Sequence, residues 1–316
     1  MRIRVRHATH YRYDTPAQNA LQLLRLTPRS HDGQFVRRWR VAVDADARLV
    51  KSEDAYGNIT HLVFIAGPLD SVEIVIEGEV DTIESHGIVR GTRERLPVGL
   101  FLRETELTRP TAAIRRLARE TSAAQGGAVL ATLHSLNTTL HDDLSFDVAA
   151  TSMTTTAGEA YAARHGVCQD FAHVLIAAAR SLQIPARYVS GYFLRTDTTT
   201  QEAGHAWMEA YVPDIGWIGF DPAQGECTTE RYVRVAVGCD ALEASPVRGS
   251  RTGGTEEALT VALTVAEGRA VTQGQWQSRR GQIQSQGNQS QSQGPAEDDA
   301  QQAQSLSKPS QSQSQS

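Results

Sequence analysis

The period of the apolar residues changes near residue 110, and that change limits the folds open to this chain. Before it, Ile3, Val5, His7, Thr9, Tyr11 and Tyr13 fall on one face of a period-two pattern. Phe35 to Val43, Thr60 to Ala66 and Val72 to Ile83 have the β-branched and aromatic content of further strands, and Asp54-Ala55-Tyr56-Gly57-Asn58 supplies a turn. Strands in succession with no long helical pattern between them predict a small antiparallel β-sandwich over residues 1–83.

Residues 84–110 lose the pattern to Gly, Arg and Pro and read as a connector. After them the period becomes helical. Ile114, Leu117 and Ala118, then Val129, Leu133, Leu136 and Leu140, are spaced for two amphipathic helices separated by Gly126-Gly127. Thr156 is placed to cap a short helix over Gly158 to Ala163, and a longer helix runs from Cys168 to Leu182, with Ile184-Pro185 ending it. Strands follow at Ala186 to Leu194, His205 to Val212 and Trp217 to Phe220, the last two joined by the turn Pro213-Asp214-Ile215-Gly216. Tyr232 to Val237 and Ala258 to Glu267 are two more strand-like segments. A second domain over 111–268, helices first and an antiparallel sheet after, makes the expected class α+β.

Gln273 to Ser316 holds 15 Gln and 10 Ser with almost no apolar residues. Such a segment cannot bury enough surface to offset its ordering entropy, so residues 269–316 are expected to be a disordered Gln/Ser-rich tail. Basic and acidic residues cancel between Gln273 and Ser316, so the formal charge of −5 belongs to the rest of the chain. A mildly acidic body argues against nucleic acid as a partner. The first 40 residues do contain nine Arg against Asp14 and Asp32, but they alternate with apolar residues, as in Arg2-Ile3-Arg4-Val5-Arg6, like the wet face of a strand.

No apolar run approaches the roughly 18 residues of a membrane span, and the N-terminus lacks the apolar core of a secretory signal. The expectation is a cytoplasmic protein with no membrane partner. The three cysteines, Cys168, Cys227 and Cys239, are an odd number in a large chain, so disulfides are not expected to organise it.

Cys168 sits in His165-Gly166-Val167-Cys168-Gln169-Asp170-Phe171, where a Gly-containing turn feeds a long apolar helix. A thiol at a helix N-terminus feels the positive end of the macrodipole and unpaired N–H groups, which favour thiolate. Its own N–H is free to help hold an oxyanion beside the sulfur. Free cysteines are more often small buried hydrophobes, the reading kept for Cys227 and Cys239. Cys168 differs in having polar neighbours and partners later in the chain. His205, in Gly204-His205-Ala206-Trp207, begins a strand; Asp221, in Gly219-Phe220-Asp221-Pro222, ends one. On paired strands Asp221 can set the tautomer of His205 and leave its other nitrogen for the sulfur. His173 reads as packing or a polar contact. His165 lacks CxxC or HxxxH company, so no metal or cofactor is expected.

Gly166-Val167-Cys168-Gln169-Asp170-Phe171-Ala172-His173, Ser190-Gly191-Tyr192, His205-Ala206-Trp207 and Gly216-Trp217-Ile218-Gly219-Phe220-Asp221-Pro222 together resemble the bacterial transglutaminase-like family. The first domain resembles the β-rich N-terminal region of many of its members, including the turn Asp54 to Asn58. Val235 to Gly238 and Pro246-Val247-Arg248-Gly249 are similar to the family's segment after the triad. The resemblance covers roughly residues 1 to 265. It implies a papain-like α+β core with Cys168 as nucleophile, His205 as general base and acid, and Asp221 as orienter. Two positions depart from the family: Ala223-Gln224 stands where Thr-Asn is usual, and Cys239 where Arg is frequent.

The resemblance further implies a peptide or protein substrate and acyl transfer at an amide through a thioester. Water as acceptor makes a peptidase or amidase; an amine makes a transglutaminase. Hydrolysis is the favoured expectation, because many bacterial relatives are thought to hydrolyse. A non-catalytic peptide-binding or partner-docking module on the same fold is the alternative of another class.

Overall fold

The computed structural model describes residues 1–148 and 151–268, so the Gln/Ser tail expected over 269–316 lies outside the described residues. In chain order the strands are β1 (Arg2–Thr27), β2 (Gln34–Val43), β3 (Ala47–Glu53), β4 (Ile59–Thr82), β5 (Ile88–Val89), β6 (Ser145–Phe146), β7 (His165–Gly166), β8 (Ala186–Phe193), β9 (Thr200–Gln201), β10 (His205–Val212), β11 (Gly216–Asp221), β12 (Glu226–Cys227), β13 (Tyr232–Gly238), β14 (Val247–Gly253) and β15 (Glu257–Glu267). The helices are α1 (Ala112–Ala124), α2 (Val129–Asp143), α3 (Ala157–Ala163) and α4 (Cys168–Ser181), and Val98–Leu102 forms a 3₁₀ turn.

The first sheet is built on β1 and β4, antiparallel neighbours along almost their whole length. Their register breaks between Arg12 and Ala17, and again between Ala17 and Asn19. Pro16 lies in that break, and a proline has no N–H to give a ladder. The flanking strands change at the same place. β15 and β2 flank the Arg2–Tyr13 half, while β14 and β3 flank the Ala17–Thr27 half. Side chains from both halves, among them Tyr11, Leu24, Val63, Ile65, Val72 and Ile76, share one buried cluster. The sandwich-like core expected from the sequence is therefore lined by both halves of one sheet.

On the outer face of β1 the alternating arginines meet acids from β4. Arg2 pairs with Asp81 at 2.7 Å, Arg4 with Glu79 at 2.7 Å and Arg6 with Glu77 at 3.2 Å. Cross-strand pairs of opposite charge suit a solvated sheet face and contribute only about 0.2–1 kcal/mol each.

The second sheet has the order β12-β11-β10-β8-β13, with β5 pairing to β11 at Ile218 and Trp217. The expected connector thus adds a short edge strand. It also packs, since Phe101 is buried edge-on against Trp217 at 5.2 Å between ring centroids. Helices α1 to α4 cover one face of this sheet. The side chains from Phe171 through Arg180 are all buried, as expected of a helix enclosed on every side.

One boundary needs correction. The segment 247–267 was expected with the second domain, but β14 and β15 pair with β1 in the first sheet. Alternation identifies a strand without saying which open edge receives it, and the long β1 had one edge free beyond β4. Leu263 and Val265 of β15 lie buried with Ile3 and Val5 on one side and Tyr192 and Val233 on the other. The two sheets consequently share a cluster, and the described residues belong to one compact unit.

Candidate active site

Three local devices bring the site residues into place. The first is the entry to α4. Short parallel pairing sets Ser145 beside His165 and Phe146 beside Gly166. Asp170, in the first turn of the helix, then accepts from the Val167 N–H at 2.8 Å and from the Thr151 hydroxyl at 2.7 Å. Burial pushes the Asp170 carboxyl up, against the opposing effect of those two bonds. With its lead-in tied down, Cys168 is the first residue of α4, half-buried, its thiol free and its N–H in the turn that has no intrahelical acceptors.

The second device is the β10–β11 hairpin. The pairs Met208 with Phe220 and Val212 with Gly216 fix its register, and Gly216 takes a φ of +105° that glycine tolerates best. Continued by one residue, this register puts Asp221 opposite Trp207 and therefore diagonal to His205 on one face of the sheet. His205 Nε2 reaches Asp221 Oδ2 at 2.6 Å. The remaining ring nitrogen is Nδ1, and the charge of Cys168 acts on the same ring. Two of the three residues singled out from the sequence, His205 and Asp221, are thus in direct contact.

The third device is the strand end after Asp221. Asp221 is fully buried, and its Oδ1 accepts from the backbone N–H groups of Ala223 at 3.0 Å and Gln224 at 3.3 Å. The chain therefore uses Ala223-Gln224 through its backbone, a role that tolerates departure from the family's Thr-Asn. Its Oδ2 takes a second bond, from the Tyr232 hydroxyl at 2.8 Å.

An aromatic wall encloses the imidazole. Phe193, Trp207 and Tyr232 lie at 5.2, 6.2 and 6.0 Å from the His205 ring between centroids. Burial alone would keep that ring neutral. The charges of Asp221 and Cys168, with the hydrogen bond to Asp221, outweigh it and push the His205 pKa up to about 10. Burial and the Asp221 carboxylate hold the Tyr232 phenol far above its usual range, so it remains a donor.

Residues 3–81 match the profile of the bacterial transglutaminase-like N-terminal region, and residues 115–222 match that of the transglutaminase-like superfamily. An uncharacterized protein of Mycobacterium tuberculosis is 30% identical over 274 residues, spanning 78% of this chain and 87% of its own. The chain belongs to the transglutaminase-like superfamily. A second uncharacterized relative, from Mycobacterium leprae, is 29% identical over 279 residues, covering 83% of this chain and 98% of that one. Among solved structures, one from Cytophaga hutchinsonii, presented as a candidate cysteine protease, superposes with a TM-score of 0.68 at 19% identity, covering 86% of this chain and 92% of that one. That likeness concerns the transglutaminase-like fold. Among the described residues no helix is long and apolar enough to cross a membrane.

The remaining sequence candidates sit apart from this transglutaminase-like centre. His173 is buried, accepts from the Ala241 N–H at 3.1 Å and packs on Tyr188. Cys227 lies near His134, and Cys239 is buried beside Tyr56. Two features escaped the sequence reading. Tyr232 was seen only as the first residue of a strand. Glu209, beneath Trp207 on the same face of β10, is fully buried between Arg187 and Arg234 at 2.7 Å each. The one available signal for it was an acid inside an otherwise apolar strand, His205-Ala206-Trp207-Met208-Glu209-Ala210.

Proposed function

We propose that this chain carries out cysteine-dependent acyl transfer at amide bonds of a peptide or protein, with water as the acceptor. Cys168 is the nucleophile, His205 the general base and acid, and Asp221 the residue that orients His205. The thiolate attacks the amide carbonyl carbon, and the displaced electron pair passes to the oxygen, where the Cys168 N–H helps to hold it. Collapse re-forms the carbonyl and expels the amine, which takes its proton from His205. The thioester left on Cys168 is then attacked by water as His205 accepts a proton, releasing the acid and restoring the thiol.

One observation supports this reading above the others: Asp221 Oδ2 holds His205 Nε2 at 2.6 Å, which leaves Nδ1 for Cys168, whose charge acts on the same ring. That order gives the imidazole one fixed tautomer and a thiolate to pair with. Family membership and the position of Cys168 at the start of a buried helix support it as well.

The test is to incubate the protein with a panel of glutaminyl and other peptides, with and without a labelled primary amine. Cleaved peptide or released ammonia without amine incorporation is the expected result. Incorporation of the amine would make the protein a transglutaminase in activity as well as in fold. Neither product, together with a Cys168 inert to alkylation at neutral pH, would leave a binding module.

A further inference from the structure

Asp221 is held more completely than an orienting carboxylate requires. It is wholly buried and has four acceptor positions, all taken. Those on Oδ1 go to backbone N–H groups of the turn that follows, which cannot leave without undoing the chain. Those on Oδ2 go to two side chains, His205 at 2.6 Å and Tyr232 at 2.8 Å. Of these two, His205 exchanges protons in the proposed reaction, whereas Tyr232 keeps its proton throughout.

The Tyr232 ring is itself immobilised. It packs on Phe193 at 4.7 Å and edge-on against Trp207 at 5.3 Å, the same two residues that wall in His205. A phenol has one proton to donate, and a second acceptor, Glu226 Oε1, lies at 3.2 Å. That carboxylate is already served by Arg231 Nη2 at 2.6 Å. The closer oxygen, on Asp221, therefore receives the phenol proton, and the Arg231–Glu226 pair closes the far side.

We infer that the Tyr232 hydroxyl is a positioning group for the site, fixing the Asp221 carboxylate and through it the His205 ring; the inference rests on the acyl-transfer reading above. Its physical effect has two parts. The bond shares the charge of Oδ2, so that the carboxylate is less attractive to an imidazolium and His205 remains a competent acid toward the leaving amine. It also removes the rotational freedom that the carboxylate would keep if Oδ2 were held by the proton-exchanging imidazole alone.

The deciding variant is Tyr232→Phe, which deletes the oxygen and keeps the ring. Expected are a thermal midpoint close to wild type, a kcat lower by about tenfold with KM little changed, and a His205 titration, followed by nitrogen NMR, that moves to higher pH. A folded Tyr232→Phe protein in which the His205 titration stays or moves down overturns the inference. The NMR readout does not depend on turnover. If the wild type processes no amide, the acyl-transfer proposal fails, while the titration still decides whether Tyr232 governs the pair.

Discussion

His205 and Asp221 meet diagonally across β10 and β11, at 2.6 Å, and not as a directly opposed pair. The contact exists because the hairpin register puts residues 205, 207 and 221 on one face. A slip of one residue would send Asp221 to the helix-covered face, where Phe220 now sits among Ala206, Met208 and Ile218. The apolar residues of the two strands therefore enforce the polar contact: burying Phe220 and Met208 correctly leaves Asp221 in only one place.

Asp221→Asn should be more damaging than its small size suggests. The Oδ1 bonds from Ala223 and Gln224 can persist, so the amide nitrogen is directed at His205 Nε2 and Tyr232. An amide donor there selects the tautomer whose proton faces Cys168. Loss of kcat on the order of 10⁴-fold is expected, with the fold retained. Cys168→Ala should abolish turnover and leave the thermal midpoint nearly unchanged. Steady-state kinetics beside circular dichroism measure both, and turnover near wild type in Cys168→Ala would identify a different nucleophile.

The His205 pair should also leave a mark on stability. Its folded pKa, about 10, exceeds the ordinary histidine value of 6.5. The native state therefore binds the proton more tightly than the unfolded chain does, and the stabilisation is fully present below about 6.5. It declines as pH rises through about 10. Urea midpoints taken from pH 6 to pH 10 should fall in the wild type and fall less in His205→Gln, which has nothing to titrate. Parallel curves for the two proteins would mean that the pair is not charged in the folded state.

Much of this centre was legible in the sequence because each member stands in a short local pattern: a glycine turn into an apolar helix for Cys168, the start of an alternating strand for His205, and a strand stopped by proline for Asp221. The helices α1 to α4 were legible for the same reason, from Gly126-Gly127 between the first two to the Thr156 cap, where Glu159 completes a capping box. Long-range partnerships were not. Nothing local in Glu257–Glu267 tells that it will pair with β1, more than 240 residues earlier, and nothing local in Arg187, Glu209 and Arg234 tells that three charges will share one buried site. Tyr232 is a strand residue by pattern, and only the tertiary fold gives its hydroxyl an address.

That buried charge cluster makes a second stability prediction. Burial opposes the Glu209 carboxylate, but Arg234 and Arg187 override it and hold the pKa at about 2, below the ordinary glutamate value of 4.5. Its contribution is present above about 4.5 and lost as pH falls through about 2. Arg187 further donates to Glu94 at 2.8 Å and lies 3.9 Å over the Trp217 ring, so it cannot swing out to water. Glu209→Gln leaves two guanidiniums without their shared carboxylate and should cost about 3–5 kcal/mol. Urea denaturation at neutral pH measures this, and a loss below 1 kcal/mol would show that the arginines find other partners.

Gly191 supplies the last test, because it couples packing to the site. It pairs with His205 across β8 and β10 and with Arg234 across β8 and β13. A Cβ there would meet the Val233 carbonyl oxygen at 2.1 Å and Trp207 Cη2 at 2.6 Å. Neither can yield cheaply, since one is backbone and the other is buried in the wall around His205. Gly191→Ala should therefore push β13 from β8, lower stability by about 1–3 kcal/mol and reduce kcat through displacement of Trp207 and Tyr232. Gly99→Ala is the matched control, with nothing within 4 Å of the added carbon. Equal thermal midpoints and equal kcat in the two variants would show that the β8–β13 contact has slack that the geometry of Gly191 denies.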